Sequence, residues 1–322
     1  MSYVQSRLGD VLIQRRRSAA ATWSQRLAVF ALPFFVVVIA GHRFGQIPTP
    51  VVFWLIAIGL SLLCASLFAA AVGFYQLWST AAKGGLNCVR GSLLSIIVLA
   101  PFVWFGWKAV TLPTLHDVST DLDDPPEFSA AGEQRTPAMN SLALLDATSV
   151  RAQLEAYPQV RSRRYQAPVD RVFKAVADII AARGWTVTAE DELDTSGRID
   201  IPGTAQDADP NTFADGKLKR VILPAFRPSE AEIREILAAG QNADPDDDSD
   251  EGEVYVEAMS RSLLFGFPSD IVIRLVQEDD GTLVDMRSSS RWGPHDLGTN
   301  AERIADFLND LDAALIGVAG EQ

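Results

Sequence analysis

Three apolar stretches, almost free of charge, crowd into the first 110 residues and constrain this chain more than anything else in it. The first runs from about Leu27 to Phe44 and contains LPFFVVVIAG; the second runs from Val51 to Trp78, the third from Ser92 to Val110. Each approaches or exceeds the roughly 20 residues that a helix needs to cross about 30 Å of hydrocarbon. One such run is compatible with a buried core helix, whereas three in succession read as transmembrane helices. The first is long for the apolar region of a signal peptide, and Gly41-His42-Arg43 stands where a small-x-small cleavage site should be. A retained span is therefore expected, despite the loose likeness of Arg15, Arg16 and Arg17 to a twin-arginine start.

Charge divides the chain at the same place. Residues 1–110 carry nine Lys or Arg and one acid, Asp10, for a net +8; residues 111–322 carry a net −21. A basic, apolar front joined to an acidic rear reads as a membrane unit followed by a solvated one. The rear part repels nucleic acid and anionic surfaces. Arg7, Arg15, Arg16, Arg17 and Arg26 precede the first span, the first loop holds only Arg43, and the second holds Lys83 and Arg90. Basic loops stay in the cytoplasm. The N-terminus and second loop are thus assigned to the cytoplasm, and the C-terminal domain to the periplasmic or extracytoplasmic side of the inner (cytoplasmic) membrane. Trp23 and Trp78 fall at one interface, and Trp54, Trp104 and Trp107 near the other.

The second span and the body of the third lack acidic and basic residues, the usual mark of an ion or substrate path, which argues against a transporter or channel. Gly59, Ser61, Ser66, Ala69, Ala70 and Gly73 offer close helix packing, and Pro33 and Pro101 are candidate kinks. Both cysteines, Cys64 and Cys88, lie in this front part, and the three histidines have no ligand spacing. The C-terminal domain therefore has no disulfide or thiolate metal site, and no cofactor or metal is predicted.

Residues 111–140, with Asp121, Asp123, Asp124, Pro125 and Pro126 close together, read as a stiff, extended linker without the ligand order of a calcium loop. Residues 141–322 read as a soluble α+β domain. A helix is expected over Pro168–Arg183, with Val169, Val172, Phe173, Val176 and Ile180 as its apolar stripe. Short strands follow near Trp185–Glu190 and Gly197–Ile201, then a surface helix over Ser229–Ala239 and a flexible acidic loop over 242–253. Three strands come next, near Glu253–Phe265, Asp270–Gln277 and Thr282–Trp292. The last helix spans Asn300–Leu315, with a Thr299/Glu302 capping box and a stripe of Ile304, Leu308, Leu311 and Leu315. This order predicts a curved antiparallel sheet with both helices on one face.

Strand alternation makes the two faces unequal. Ile271, Ile273, Leu275, Val284 and Met286 share one; Asp270, Arg274, Asp285, Arg287, Ser289 and Arg291 share the other, which Glu257 and Arg261 extend if Val254, Val256 and Ala258 face the core. The turn Glu278-Asp279-Asp280-Gly281 makes a hairpin. A four-residue loop pairs Gln277 with Thr282 and sets Arg274 opposite Asp285; a two-residue loop sets it opposite Arg287. One cross-strand network of Arg274, Asp285 and Arg287 is expected.

The run SDIVIRLVQEDDGTLVDMRSSSRWGPHDLGTNAERIADFL resembles the signature of a bacterial and plastid family, domain of unknown function fourteen-ninety-nine. The resemblance rests on an Asp before the IVIR strand, the VDMRSSSR strand and the D-L-G-x-N-A-x-R-I opening of the last helix, and covers roughly Tyr157–Leu315. It implies a frequent N-terminal membrane portion and a similar HDVSTDLDDPPEF linker, but no chemistry. Many relatives have two aspartates before this strand where this chain has Ser269 and Asp270.

Ser288, Ser289 and Ser290 lie near His295 and Asp296, but the serines alternate faces and no G-x-S-x-G elbow exists. Asp270, Asp285 and Asp296 each have an Arg nearby, which favours ion pairs over acid–base work. Asn300 is expected to order the Gly298–Asn300 turn. The preferred reading is a non-enzymatic module at the outer membrane face. It binds a partner protein or small anionic ligand through Asp270, Arg274, Asp285, Arg287, Arg291, Asp296, Asn300 and Arg303. The alternative is an enzyme of unassigned reaction on the same face.

Overall fold

A computed structural model describes residues 16–191 and 253–316 of the chain. It divides into two compact units, Met1–Trp107 and Lys108–Gln322. The expected strand near Gly197, the helix over Ser229–Ala239 and nearly all of the acidic loop lie outside the described residues.

The first unit is built on α1 (Ala19–Arg43), α2 (Thr49–Thr80) and α3 (Gly85–Thr111), whose last turn passes into the second unit. All three helices are long and apolar enough to cross a membrane. Their contacts rest on small residues, which let backbones approach where apolar burial gives no net drive. A Cβ at Gly73 would press on Cys88 and on the backbone of Ala21, and one at Gly91 would overlap Ser24. Gly59, Ser66, Ala70 and Gly73 are buried on α2, but Ser61 is exposed and bonds its own helix. The Ser66 hydroxyl donates to the carbonyl of Ser24 and accepts from Ser95, so one hydroxyl chain ties all three helices. Phe30, Val36, Val37, Phe68 and Ile97 point outward, as a lipid-facing surface requires.

The second unit has α+β architecture. Its elements are β1 (Asp117–Ser119), α4 (Ala130–Gln134), α5 (Ala147–Ala156), β2 (Arg163–Tyr165), α6 (Val169–Ala182), β3 (Thr186–Asp191), β4 (Glu253–Arg261), β5 (Pro268–Glu278), β6 (Gly281–Ser290) and α7 (Thr299–Ile316). The sheet is antiparallel, in the order β1-β6-β5-β4-β3, and β2 joins β6 on the same edge as β1. The β5–β6 hairpin pairs Gln277 with Thr282 and Arg274 with Asp285, the register of the longer loop. Ile271, Ile273, Leu275, Val284 and Met286 meet Val172, Phe173, Val176 and Ile180 of α6, and Ile304, Phe307, Leu308 and Leu311 of α7, in one core. Trp185 stacks on Phe307, with ring centroids 5.5 Å apart.

The stretch read as a linker is part of this unit. It supplies β1 and α4, and the segment between them crosses the face of the sheet opposite the helices. Local composition is the same for a solvated spacer and for an acidic strap. What decides between them is the row of arginines beneath, which lies far away in sequence.

Candidate functional site

The charged face of the sheet is buried. Asp270, Arg274, Asp285, Arg287 and Arg291 are each at most 6% exposed. The strap from β1 to α5 covers this face, and the eight residues expected to form one binding set fall into separate clusters.

In the first cluster Arg291 grips Asp270 through Nε and Nη2, at 2.6–3.0 Å. Arg135 closes on the other carboxylate oxygen from the strap, with Nε at 2.9 Å, and donates to the carbonyls of Asn140 and Ser289. Burial pulls the Arg135 guanidinium below its ordinary pKa, and Asp270 works against that.

The second cluster joins Arg287 to Asp117 of β1, Nη2 to Oδ2 at 2.9 Å. Arg287 also donates to the carbonyls of Pro126 and Leu142, and its guanidinium lies 5.2 Å from the centre of the Phe128 ring. In the third, Arg274 pairs with Asp285 at 3.0 Å and with Asp124 at 2.6 Å. Asp285 accepts further bonds from Thr120 and Ser162. Burial disfavours the Arg274 charge, but the bonds to Asp124 and Asp285 outweigh it and hold the pKa above its usual value. The single network of Arg274, Asp285 and Arg287 is therefore two networks. The hairpin register does bring Arg274 to Asp285, but Arg287 looks to β1. Glu257 extends the face as expected and accepts from the backbone of Ser129, Ala130 and Ala131 at the start of α4.

A fourth cluster lies where α7 begins. Asp296 accepts from the N–H of Gly298 at 2.9 Å and of Asn300 at 2.8 Å. It holds a turn in which Leu297 takes a φ of 58°, a cost for a branched side chain. The helix cap is therefore Asp296, not the Thr299/Glu302 box; Thr299 gives its hydroxyl to the Asp296 carbonyl. Burial raises the Asp296 pKa above the ordinary value, against the two backbone bonds. Asn300 does more than order the turn. It accepts from Ser288 and donates to the carbonyl of His116 and to Ser290, pinning α7 to β6 and to the entry of β1. Arg303 donates to Ser288 and Asn300, and desolvation lowers its pKa to about 10. Ser288 is thus bonded to Asn300 and Arg303 and Ser290 to Asn300, the buried Ser289 hydroxyl has no hydrogen-bond partner among the described residues, and His295 accepts from the N–H of Leu297.

Sequence reasoning missed Asp117, Asp124, Arg135 and Gln153. Gln153 of α5 brackets β1, donating to the carbonyl of Ser119 and accepting from its N–H. The signal for an acidic cover was present: three arginines and two aspartates on the side of two strands away from the core leave a positive excess.

Among the described residues, no three His, Cys, Asp or Glu side chains stand as a metal site. A small cavity of about 100 Å3 lies between the strap and α5, lined by Ser119, Leu122, Pro125, Leu144, Val150 and Arg287, among others.

Residues 204–311 match the family model described as Protein of unknown function (DUF1499). Neither a curated protein nor a solved structure matches the chain. The DUF1499 match takes in β4, β5, β6 and most of α7, and so all eight candidate residues. Their partners Asp117, Asp124 and Arg135 lie upstream of the DUF1499 match, in the strap.

Proposed function

We propose that this protein is a membrane-anchored, non-enzymatic binding module. In this reading its C-terminal unit stands on the extracytoplasmic side of the inner membrane and engages a partner protein. One observation carries the choice of a binding role over chemistry: the buried arginines and carboxylates of the charged face already bond one another. A general acid or base must be able to exchange a proton with a substrate, and carboxylates clamped by guanidinium groups are poor at it. The same engagement disfavours a small anion as the ligand. Five of the eight candidate residues, Asp270, Arg274, Asp285, Arg287 and Arg291, then hold the strap in shape, and the partner meets the strap's outer side at the cavity beside Leu144, which is 63% exposed. The excess of basic residues in the N-terminus and second loop supports the orientation.

A photo-crosslinking residue at Leu144 in cells tests the reading. A discrete protein adduct from that position, absent when the same residue replaces the exposed Leu154, is the expected result. The same crosslinking variants carry a reporter that is active only outside the cytoplasm, fused after Gln322. A silent reporter overturns the orientation, and identical adducts from both positions overturn the site.

A further inference from the structure

We infer that the end of the first unit where α1 and α3 begin is a binding site for the headgroup of an anionic phospholipid. A short parallel bridge sets the backbone of Arg17 beside that of Lys83. It is fixed from both sides: the Lys83 N–H donates to the carbonyl of Arg16 and the Ser18 N–H to that of Lys83, each at 2.9 Å. Ser18 adds a bond from its hydroxyl to Gln76 of α2 at 2.8 Å. The segment before α1 is thereby tied to the turn between α2 and α3, and Arg16, Arg17 and Lys83 are gathered in one place. Arg26 and Arg90 are exposed on the early turns of α1 and α3, at the same end.

Like charges held side by side repel, and a fold that fixes them needs a counter-charge. The unit cannot provide one among its described residues: between Arg16 and Trp107 the chain contains no Asp or Glu. An anion from the surroundings can supply the counter-charge. The cluster sits at the ends of helices long and apolar enough to span a bilayer, with Trp23 and Trp78 exposed at the same level. Arg26 lies 5.7 Å from the centre of the Trp23 ring, an amphipathic pair suited to the headgroup region. The anion that is present at that depth, at high local concentration, is the phosphate of a lipid. Acidic lipids add net charge that zwitterionic lipids lack, and basic groups near a membrane surface gain from each such contact.

The test uses the full chain, purified in a mild detergent. Lipid retention is measured by native mass spectrometry after titration with phosphatidylglycerol, phosphatidylcholine or inorganic phosphate. Phosphatidylglycerol should be retained in preference to phosphatidylcholine. Lys83→Gln should lower its apparent affinity about fivefold, the share of one basic group near an anionic surface. Arg43→Gln removes one charge at the other end of α1 and should leave retention unchanged. Arg16→Gln, at an exposed position, repeats the test should Lys83→Gln disturb the bridge. Equal retention of the two lipids overturns the proposal, as does equal loss in Lys83→Gln and Arg43→Gln. Competition by millimolar inorganic phosphate would assign the site to free phosphate and so reject the lipid.

Discussion

Asp117 and Asp124 make the same kind of contact with very different consequences. Asp117 is 1% exposed and faces an equally buried Arg287; Asp124 is 78% exposed, although its partner Arg274 is buried. Removing one member of a buried pair leaves a charge without water or partner, which costs about 3–5 kcal/mol. An exposed carboxylate is replaced by solvent, at under about 1 kcal/mol. Asp117→Asn should therefore destabilise the C-terminal unit strongly in urea unfolding, and Arg287→Met in the same chain should recover part of the loss. Asp124→Asn should be nearly silent, because Asp285 continues to neutralise Arg274. A cycle with no coupling between Asp117 and Arg287 would contradict the buried pair.

At the scale of elements, the hairpin was legible and the strap was not. The alternation of Ile271, Ile273 and Leu275 with Asp270 and Arg274, together with the acidic turn ending in Gly281, narrowed β5 and β6 to two registers, one of which the fold adopts. The strand β1 offered three residues, Asp-Val-Ser, among prolines and aspartates, and only Val118 of these enters the core. Its identity as a strand comes from β6, and no local pattern carries that. The helix start at α7 shows a subtler miss: a Ser/Thr-x-x-Glu pattern was present, but an aspartate three residues earlier does the capping. Asp296→Ala should cost about 1–2 kcal/mol, and Thr299→Ala about 1 kcal/mol or less. Asp296→Asn should be milder than Ala, since its amide oxygen still accepts one N–H. The raised Asp296 pKa means the folded unit holds that proton more tightly than the unfolded chain does. Stability then falls as pH rises from the unfolded carboxylate value, near 4, toward the folded one. That slope should be shallower in Asp296→Asn, read from denaturation midpoints across the acidic range.

For the whole molecule, the division into units bears on where the second one can be cut. A fragment beginning at residue 141 omits β1, α4 and the strap, and so leaves the backbone edge of β6 over Arg287, Ser288 and Ser289 unpaired by β1, Arg287 without Asp117 and Asp270 without Arg135. It should fail to give a cooperative unfolding transition, whereas one beginning at residue 108 should unfold in a single step. Equal behaviour of the two would mean that the strap is dispensable. The composition at this scale was legible early, because three apolar runs and a charge reversal are properties of long stretches and need no partner to be recognised.

The strap also sets a schedule for biosynthesis. Asp117 and Arg287 are 170 residues apart. At about 5–20 residues per second, chain growth leaves the aspartates without their arginines for roughly ten seconds or more. Throughout that interval the segment after the last span is an acidic, proline-containing ribbon. Those qualities resist premature pairing with other strands. The sheet can close its β6 edge only after nearly the entire polypeptide has been made, so the first part of this unit to be synthesised is among the last to settle.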